Sequence, residues 1–293
     1  MDGVININKP QGLTSHDVVL QARRITGEKR IGHTGTLDPL ATGVLVLCLG
    51  RATRIAQYLE AGEKEYEAML RLGVTTDTLD AGGRVLSEKQ YDPPSKDRVL
   101  HVLSGFLGEI HQKPPAYSAI KINGVPSYRL AREGRSPELA RRAVTVSSIE
   151  ILEYQYPFVR IHVQCTKGTY IRSLCADIGE ELGTGAYLAE LKRTRSGKFS
   201  LDESLSLDEL ERAAREGEIA RVLCSVNDAL SHLPLVPISP DEMKKVMHGN
   251  RITLQQTTGS EGNGLVRIGD GAGVLLAIAK KTGRELQPQL VFS

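Results

Sequence analysis

A carboxylate, an imidazole and three hydroxyls fall within one short segment of this chain, GHTGTLDPLATG at residues 32–43. Asp38 has the widest chemistry of these groups, because a carboxylate can act as a nucleophile or as a general base. His33 could share a proton or a hydrogen bond with a ligand. Gly32, Gly35 and Gly43 permit tight turns and close approach of backbone to a bound molecule. A second reading stands beside this one. Asp followed by Pro is a good helix start, so Asp38 could simply cap a helix, and His33 could be a packing residue. The glycine spacing matches neither the dinucleotide fingerprint nor the phosphate-binding P-loop, which leaves a nucleotide cradle without support.

The flanking residues must supply a rigid frame for such a loop. Residues 3–7 read as a strand. Thr14 or Ser15 can cap a helix with Val18, Val19, Ala22 and Ile25 on its apolar face and Gly27 as its stop. The run VLVLCL at 44–49 has strand length and no polar alternation, which predicts a central strand covered on both faces. Residues 52–60 are predicted helical and 65–74 a strand. At 158–165 Val159, Ile161, Val163 and Cys165 alternate with Arg160, His162 and Gln164, the pattern of a half-buried strand. A helix is predicted after Lys167-Gly168 as far as Leu182, with Ile171, Leu174, Cys175, Ile178 and Leu182 at helical spacing. Residues 112–128 carry three prolines and an Asn123-Gly124 turn, and together with the arginine-rich 129–142 they predict an exposed excursion. Prolines cluster between Pro234 and Pro240. Beyond them a short helix at 241–247 and a hairpin over 266–279 predict a small, mostly β tail.

A length of 293 residues suits one large domain or two ordinary ones. With 25% charged and 40% hydrophobic residues the composition is that of a globular chain. No apolar run is long enough to cross a bilayer, and the N-terminus has no secretory pattern, so a soluble, cytoplasmic location is expected. Cys48, Cys165, Cys175 and Cys224 fit no zinc-ligand template and read as small buried hydrophobes. The net charge of +2 announces no partner. Local basic clusters do more: Arg23, Arg24, Lys29 and Arg30; the arginines of 129–142; and Lys192, Arg193, Arg195 and Lys198. Each is either a solvated face or a surface that follows a phosphate backbone.

The string GHTGTLDPLATGVL resembles the active-site motif of the TruB-type pseudouridine synthases. Four further segments resemble the same family in the same order: INKPQGLTS (7–15), EKEYEAMLRLGVTTDTLDAGG (63–83), KPPAYSAIKINGVPSYRLAREG (113–134) and CTKGTYIRSLCADIG (165–179). The tail from about 237 is similar to a PUA domain, an RNA-binding module. The resemblance implies a mixed α/β (α+β) catalytic fold with a largely antiparallel central sheet over 1–233, an RNA-gripping insertion at about 112–142, and a β-barrel-like PUA domain over 237–293. It implies Asp38 as the catalytic aspartate and Tyr66 as the tyrosine that stacks on the target base. Arg172 becomes the arginine paired with the aspartate, His33 a residue that holds the remodelled RNA loop, and Leu191 a pocket wall. Asp77 and Asp80 read as turn and RNA-contact residues. With the local charge, the resemblance marks Lys121, Arg129, Arg132 and Arg193 as RNA contacts.

The implied substrate is the uridine at position 55 in the T-loop of tRNA. Its isomerisation gains and loses no atoms, so no metal and no organic cofactor is expected. The target base must be flipped out, at a cost of a few kcal/mol. The implied partner is the tRNA T-arm, with no membrane, no obligatory protein partner and a monomeric enzyme. Three other readings are a binding module or tRNA-folding chaperone, a guide-dependent synthase of the dyskerin-like type, and an unrelated Asp/His hydrolase or metal nuclease. The last would need more carboxylates or histidines near Asp38 than this loop offers.

Overall fold

The computed structural model describes residues 1–118, 120–135, 139–254 and 263–292. Residues 119 and 136–138 of the expected insertion, and 255–262 and 293 of the tail, lie outside the described residues.

Strand β1 (Gly3–Lys9) leads into a helix at Ser15–Thr26 and the short strand β2 (Ile31–His33). The helix begins at a capping box: Thr14 Oγ1 accepts from Asp17 N–H, and the Asp17 carboxylate accepts from Thr14 N–H. It ends at Gly27 with a left-handed φ of 70°. The apolar run forms β3 (Thr42–Leu49), buried from Gly43 onward. Its two faces serve two cores. Leu45, Leu47 and Leu49 belong to the main core, whereas Val44, Val46 and Cys48 belong to a second. Two-sided burial is why this strand shows no polar alternation.

The remaining strands of the first part are β4 (Lys64–Leu72), a hairpin of β5 (Val74–Thr76) and β6 (Val85–Glu88), β7 (Gly108–Gln112), a small hairpin of β8 (Lys121–Ile122) and β9 (Val125–Pro126), β10 (Arg142–Gln155), β11 (Phe158–Cys165), β12 (Ala186–Ser196) and β13 (Phe199–Ser200). The main sheet runs β1-β3-β12-β4-β11-β10-β7, with β2 and β13 paired at its side. β3 and β12 run parallel where Thr42 meets Lys192 and Gly43 meets Arg193; the other pairings of this sheet are antiparallel. The inner face of β4 and β11 (Tyr66, Ala68, Leu70, Leu72, Val159, Ile161, Val163 and Cys165) packs against Val18, Val19 and Ala22 of the first helix. It also meets Ile171, Leu174, Cys175 and Ile178 of a helix at Ile171–Leu182. Each fully buried aliphatic side chain there contributes about 1.5–3 kcal/mol. The outer face is solvated and stitched by ion pairs such as Lys192–Glu67 at 3.5 Å and Arg160–Glu190 at 3.3 Å, each worth at most about 1 kcal/mol.

The tail contributes β14 (Leu235–Pro237), a helix at Pro240–Met247, β15 (Ile252–Thr253), β16 (Gly264–Gly269), β17 (Leu275–Thr282) and β18 (Glu285–Val291). The sheet order is β14-β16-β17-β18-β15, so its end strands do not pair among the described residues. It has a core of its own around Val236, Val246, Ile268 and Leu286. It is also packed onto the first part: Ile278 of β17 joins Val4, Val44, Val46 and Cys48 in the second core. The tail therefore rests on the back of the strand that leaves the Asp38 loop. All four cysteines are free thiols, three of them buried. Among the described residues no helix is long and apolar enough to cross a membrane.

Candidate active site

The loop between β2 and β3 is pinned at several points. Leu37 N–H donates to Ser15 Oγ at 2.8 Å, and Ser15 Oγ donates back to Leu37 O at 3.2 Å. Ala41 N–H donates to Asp38 O at 3.0 Å, closing a turn. No helix follows Asp38, so the helix-cap reading fails: residues 39–41 turn directly into β3. Lys9, at the end of β1, is fully buried beneath this turn. Its Nζ donates to Pro10 O at 2.9 Å and to Leu13 O at 2.6 Å, and lies 3.5 Å from Pro39 O. Burial pushes the Lys9 ammonium down to about 8, while the nearby Asp38 charge opposes the shift. The resemblance at 7–15 marked this stretch without assigning Lys9 a task.

Arg172 reaches Asp38 from the first turn of the Ile171–Leu182 helix. Its Nε lies 2.9 Å from Asp38 Oδ2, and its Nη2 donates to Oδ1 at 3.2 Å, a two-pronged contact. Arg172 is 5% exposed. Its other donors go to Thr78 O at 3.1 Å and Tyr117 O at 2.9 Å, and Nη1 also lies 3.5 Å from Asp80 Oδ2. The Asp38 side chain keeps a third of its surface open. Burial nonetheless raises its carboxyl above the ordinary aspartate range, with Arg172 opposing and Asp80 adding to the rise.

Asp80 corrects the sequence-based expectation. It is a turn residue, since its Oδ1 accepts from Thr78 Oγ1 at 2.6 Å and from Gly82 N–H at 3.0 Å. It is also buried, and serves as a second carboxylate on Arg172 rather than as an exposed RNA contact. The preceding Leu79 holds a left-handed φ of 63°, which costs a branched residue about 1–3 kcal/mol. Two backbone bonds to Leu188, from Leu188 N–H to Leu79 O and from Ala81 N–H to Leu188 O, both 3.0 Å, hold it there. Asp77 behaves as a plain turn residue, its Oδ1 accepting from Arg84 N–H at 2.8 Å.

Tyr66 lies on β4 opposite Arg193 of β12 and is 8% exposed. Burial raises its hydroxyl pKa, the Arg193 cation opposes this, and the Asp38 charge is also felt there. His33 Nδ1 accepts from Gly35 N–H at 3.3 Å, which places the proton of the neutral ring on Nε2. Burial and the Arg193 cation both lower its pKa, favouring the neutral form. Leu191 is buried on β12 opposite Ala68.

Arg193 is the clearest correction. It does not belong to a phosphate-following surface: it is 3% exposed, its Nε donates to Val44 O at 2.7 Å, and its Nη2 donates to Gly35 O at 3.2 Å. Side chains alternate across a strand. Lys192 therefore faces out to Glu67 while Arg193 faces in and braces both ends of the Asp38 loop. Lys121, Arg129 and Arg132 are exposed, as expected of an insertion. Arg132 lies over the Tyr128 ring at 5.7 Å. The root of that insertion is not the free excursion the prolines suggested, because Tyr117 supplies a carbonyl to Arg172.

Residues 23–171 match the family described as TruB family pseudouridylate synthase (N terminal domain), and residues 172–231 match tRNA pseudouridylate synthase B C-terminal domain. A Dehalococcoides mccartyi protein named tRNA pseudouridine synthase B is 44% identical, over 87% of this chain and 85% of its own length. A protein of the same name from Ralstonia nicotianae is 41% identical over 98% of this chain and 93% of its own. Among solved structures, a chain of a Cbf5-Nop10-Gar1 complex aligns with a TM-score of 0.78 at 32% identity, covering 99% of this chain and 85% of that one. A chain of an H/ACA RNP bound to a substrate RNA containing 2'-deoxyuridine aligns with a TM-score of 0.77 at 30% identity, with 99% and 85% covered.

Proposed function

This chain belongs to the TruB family of pseudouridylate synthases, and from that premise we propose that it converts uridine 55 in the T-loop of tRNA to pseudouridine, with Asp38 as the reacting carboxylate. The observation that carries the assignment is the two-pronged Arg172–Asp38 pair, closed on the arginine side and open on the aspartate side. A guanidinium with its donors all directed holds the carboxylate ionised and in one orientation. In the reaction the bond from ribose C1′ to N1 breaks, the uracil turns, and C1′ bonds to C5. The C5 proton leaves and N1 takes one up, so no oxidant or atom donor enters the balance. Asp38 supplies the nucleophile or base. Tyr66 offers a ring face to the flipped base, Leu191 an apolar wall, and neutral His33 an Nε2–H donor to the displaced RNA.

Residues 1–233 form the catalytic part in this reading. The insertion at 112–142 grips RNA through exposed Lys121, Arg129 and Arg132, and residues 237–293 act as a PUA-like second hold. Structured RNA is bound largely through backbone and shape, which such cationic side chains suit. The relatives named tRNA pseudouridine synthase B, at 41–44% identity, lie nearer than the Cbf5 chain at 32%. That favours a single chain that needs neither guide RNA nor protein partner.

The test is the purified protein with unmodified tRNA transcript tritiated at uracil C5. Tritium release confined to the T-loop uridine is expected. No release from folded transcript without a guide or partner would overturn the reading.

The pH dependence follows from the burial of Asp38. The reactive form is the carboxylate, and burial raises its pKa. As pH falls, kcat/KM is therefore expected to drop through a value above the ordinary aspartate pKa of about 3.9. A rate that stays flat down to pH about 4 would rule out a titrating Asp38 as the reacting group.

A further inference from the structure

The helix that carries Arg172 starts without a side-chain cap of its own at Tyr170. It is held from outside instead. Gln112, at the end of β7 and 2% exposed, donates from Nε2 to Tyr170 O at 2.9 Å, and its Oε1 accepts from Tyr170 N–H at 2.7 Å. One amide side chain thus pairs both main-chain groups of one residue, as an adjacent strand would. The same segment continues the contact: Ser173 Oγ donates to Lys113 O at 2.8 Å, and Tyr117 O accepts from Arg172 Nη2 at 2.9 Å. The root of the insertion and the start of the Arg172 helix are therefore joined on both sides of Arg172.

We propose that Gln112 is a positioning residue for the reaction: by fixing the main chain at Tyr170 it sets the reach of Arg172 to Asp38, and it ties the RNA-facing insertion to that pair. This rests on the isomerase reading above. Arg172 contacts Asp38 at 2.9 and 3.2 Å, so a small shift of the helix start would lose one prong, and misplacement by about 1 Å can cost on the order of a hundredfold in rate. A polar residue kept only for packing would change stability and leave the rate on bound substrate alone.

Gln112→Met keeps the side-chain size and removes both bonds. In the full-length protein, kcat by tritium release is expected to fall by about tenfold or more, while tRNA Kd by filter binding stays within about threefold. A double-mutant cycle with Arg172→Lys supplies a readout that packing alone would not move. If Gln112 acts through Arg172, the combined variant loses less than the product of the two single losses. A wild-type kcat, or losses that multiply, would overturn the proposal. Should Gln112→Met fail to fold, Gln112→Asn carries the same expectations and the same overturning results. It keeps an amide but is one methylene too short to span both groups. An inactive wild-type enzyme in the same assay would instead count against the isomerase reading.

Discussion

Asp38→Asn is expected to lower turnover by at least about a thousandfold while leaving tRNA affinity within about threefold of wild type. The substitution preserves side-chain size and removes the charge. Asparagine can still accept one bond from Arg172, but its amide presents a donor where the guanidinium also donates. The arginine is not left bare, because Thr78 O, Tyr117 O and Asp80 remain around it, so the fold should persist. In the proposed complex, RNA affinity would come mainly from phosphate and shape contacts, as for other structured RNAs, and not from this carboxylate. Single-turnover tritium release measures the first quantity and filter binding the second. Turnover within tenfold of wild type would remove Asp38 from the chemistry.

Gly43→Ala is expected to destabilise the protein by about 3 kcal/mol or more and to lower Tm by roughly 10 °C. Gly43 has a φ of 96°, and a Cβ built there would lie 2.2 Å from the Arg193 carbonyl oxygen and 3.0 Å from its carbonyl carbon and nitrogen. These are backbone atoms of β12 at the one place where it runs parallel to β3, so no flexible side-chain end can move aside. Separating the strands would also pull Arg193 from Val44 O and Gly35 O, loosening the Asp38 loop. Turnover should fall along with stability. Thermal unfolding followed by circular dichroism checks the first effect and tritium release the second. A wild-type Tm would mean that β3 and β12 do not approach so closely at Gly43.

Much of the frame was legible because local periodicity encodes it. The alternation at 158–165 and the continuous run at 44–49 each correspond to the element expected of them, and of the two expected caps, Thr14 and Ser15, it is Thr14 that caps the helix. The tail hairpin over 266–279 lies where β16 and β17 pair. Asp38 and Arg172, 134 residues apart, were matched through the family resemblance, and the structure brings them into contact. Lys9 and Gln112 carried no expected role, and Asp80 and Arg193 were expected as RNA contacts. Each reads locally as an ordinary solvated polar residue, and each is buried with a partner from a distant segment: Pro39 O for Lys9, the Arg172 guanidinium for Asp80, Val44 O for Arg193 and the Tyr170 main chain for Gln112. A strand alternation test on β12, with Lys192 facing out and Arg193 in, was the one signal in the sequence that could have moved Arg193 inward.

The order of residues by itself determined the strands at 3–7, 44–49, 65–74 and 158–165, the tail hairpin, the helix caps and the candidate carboxylate, since those depend on neighbours within a few positions. Only the tertiary structure decided which charges are buried and what they hold. The β3–β12 pairing and the Ile171–Leu182 helix bring distant residues into a space with little water, where an unpaired polar group costs far more than on the surface. That cost makes Arg172 take up two carboxylates and two carbonyls, and turns Arg193 from a surface cation into a brace.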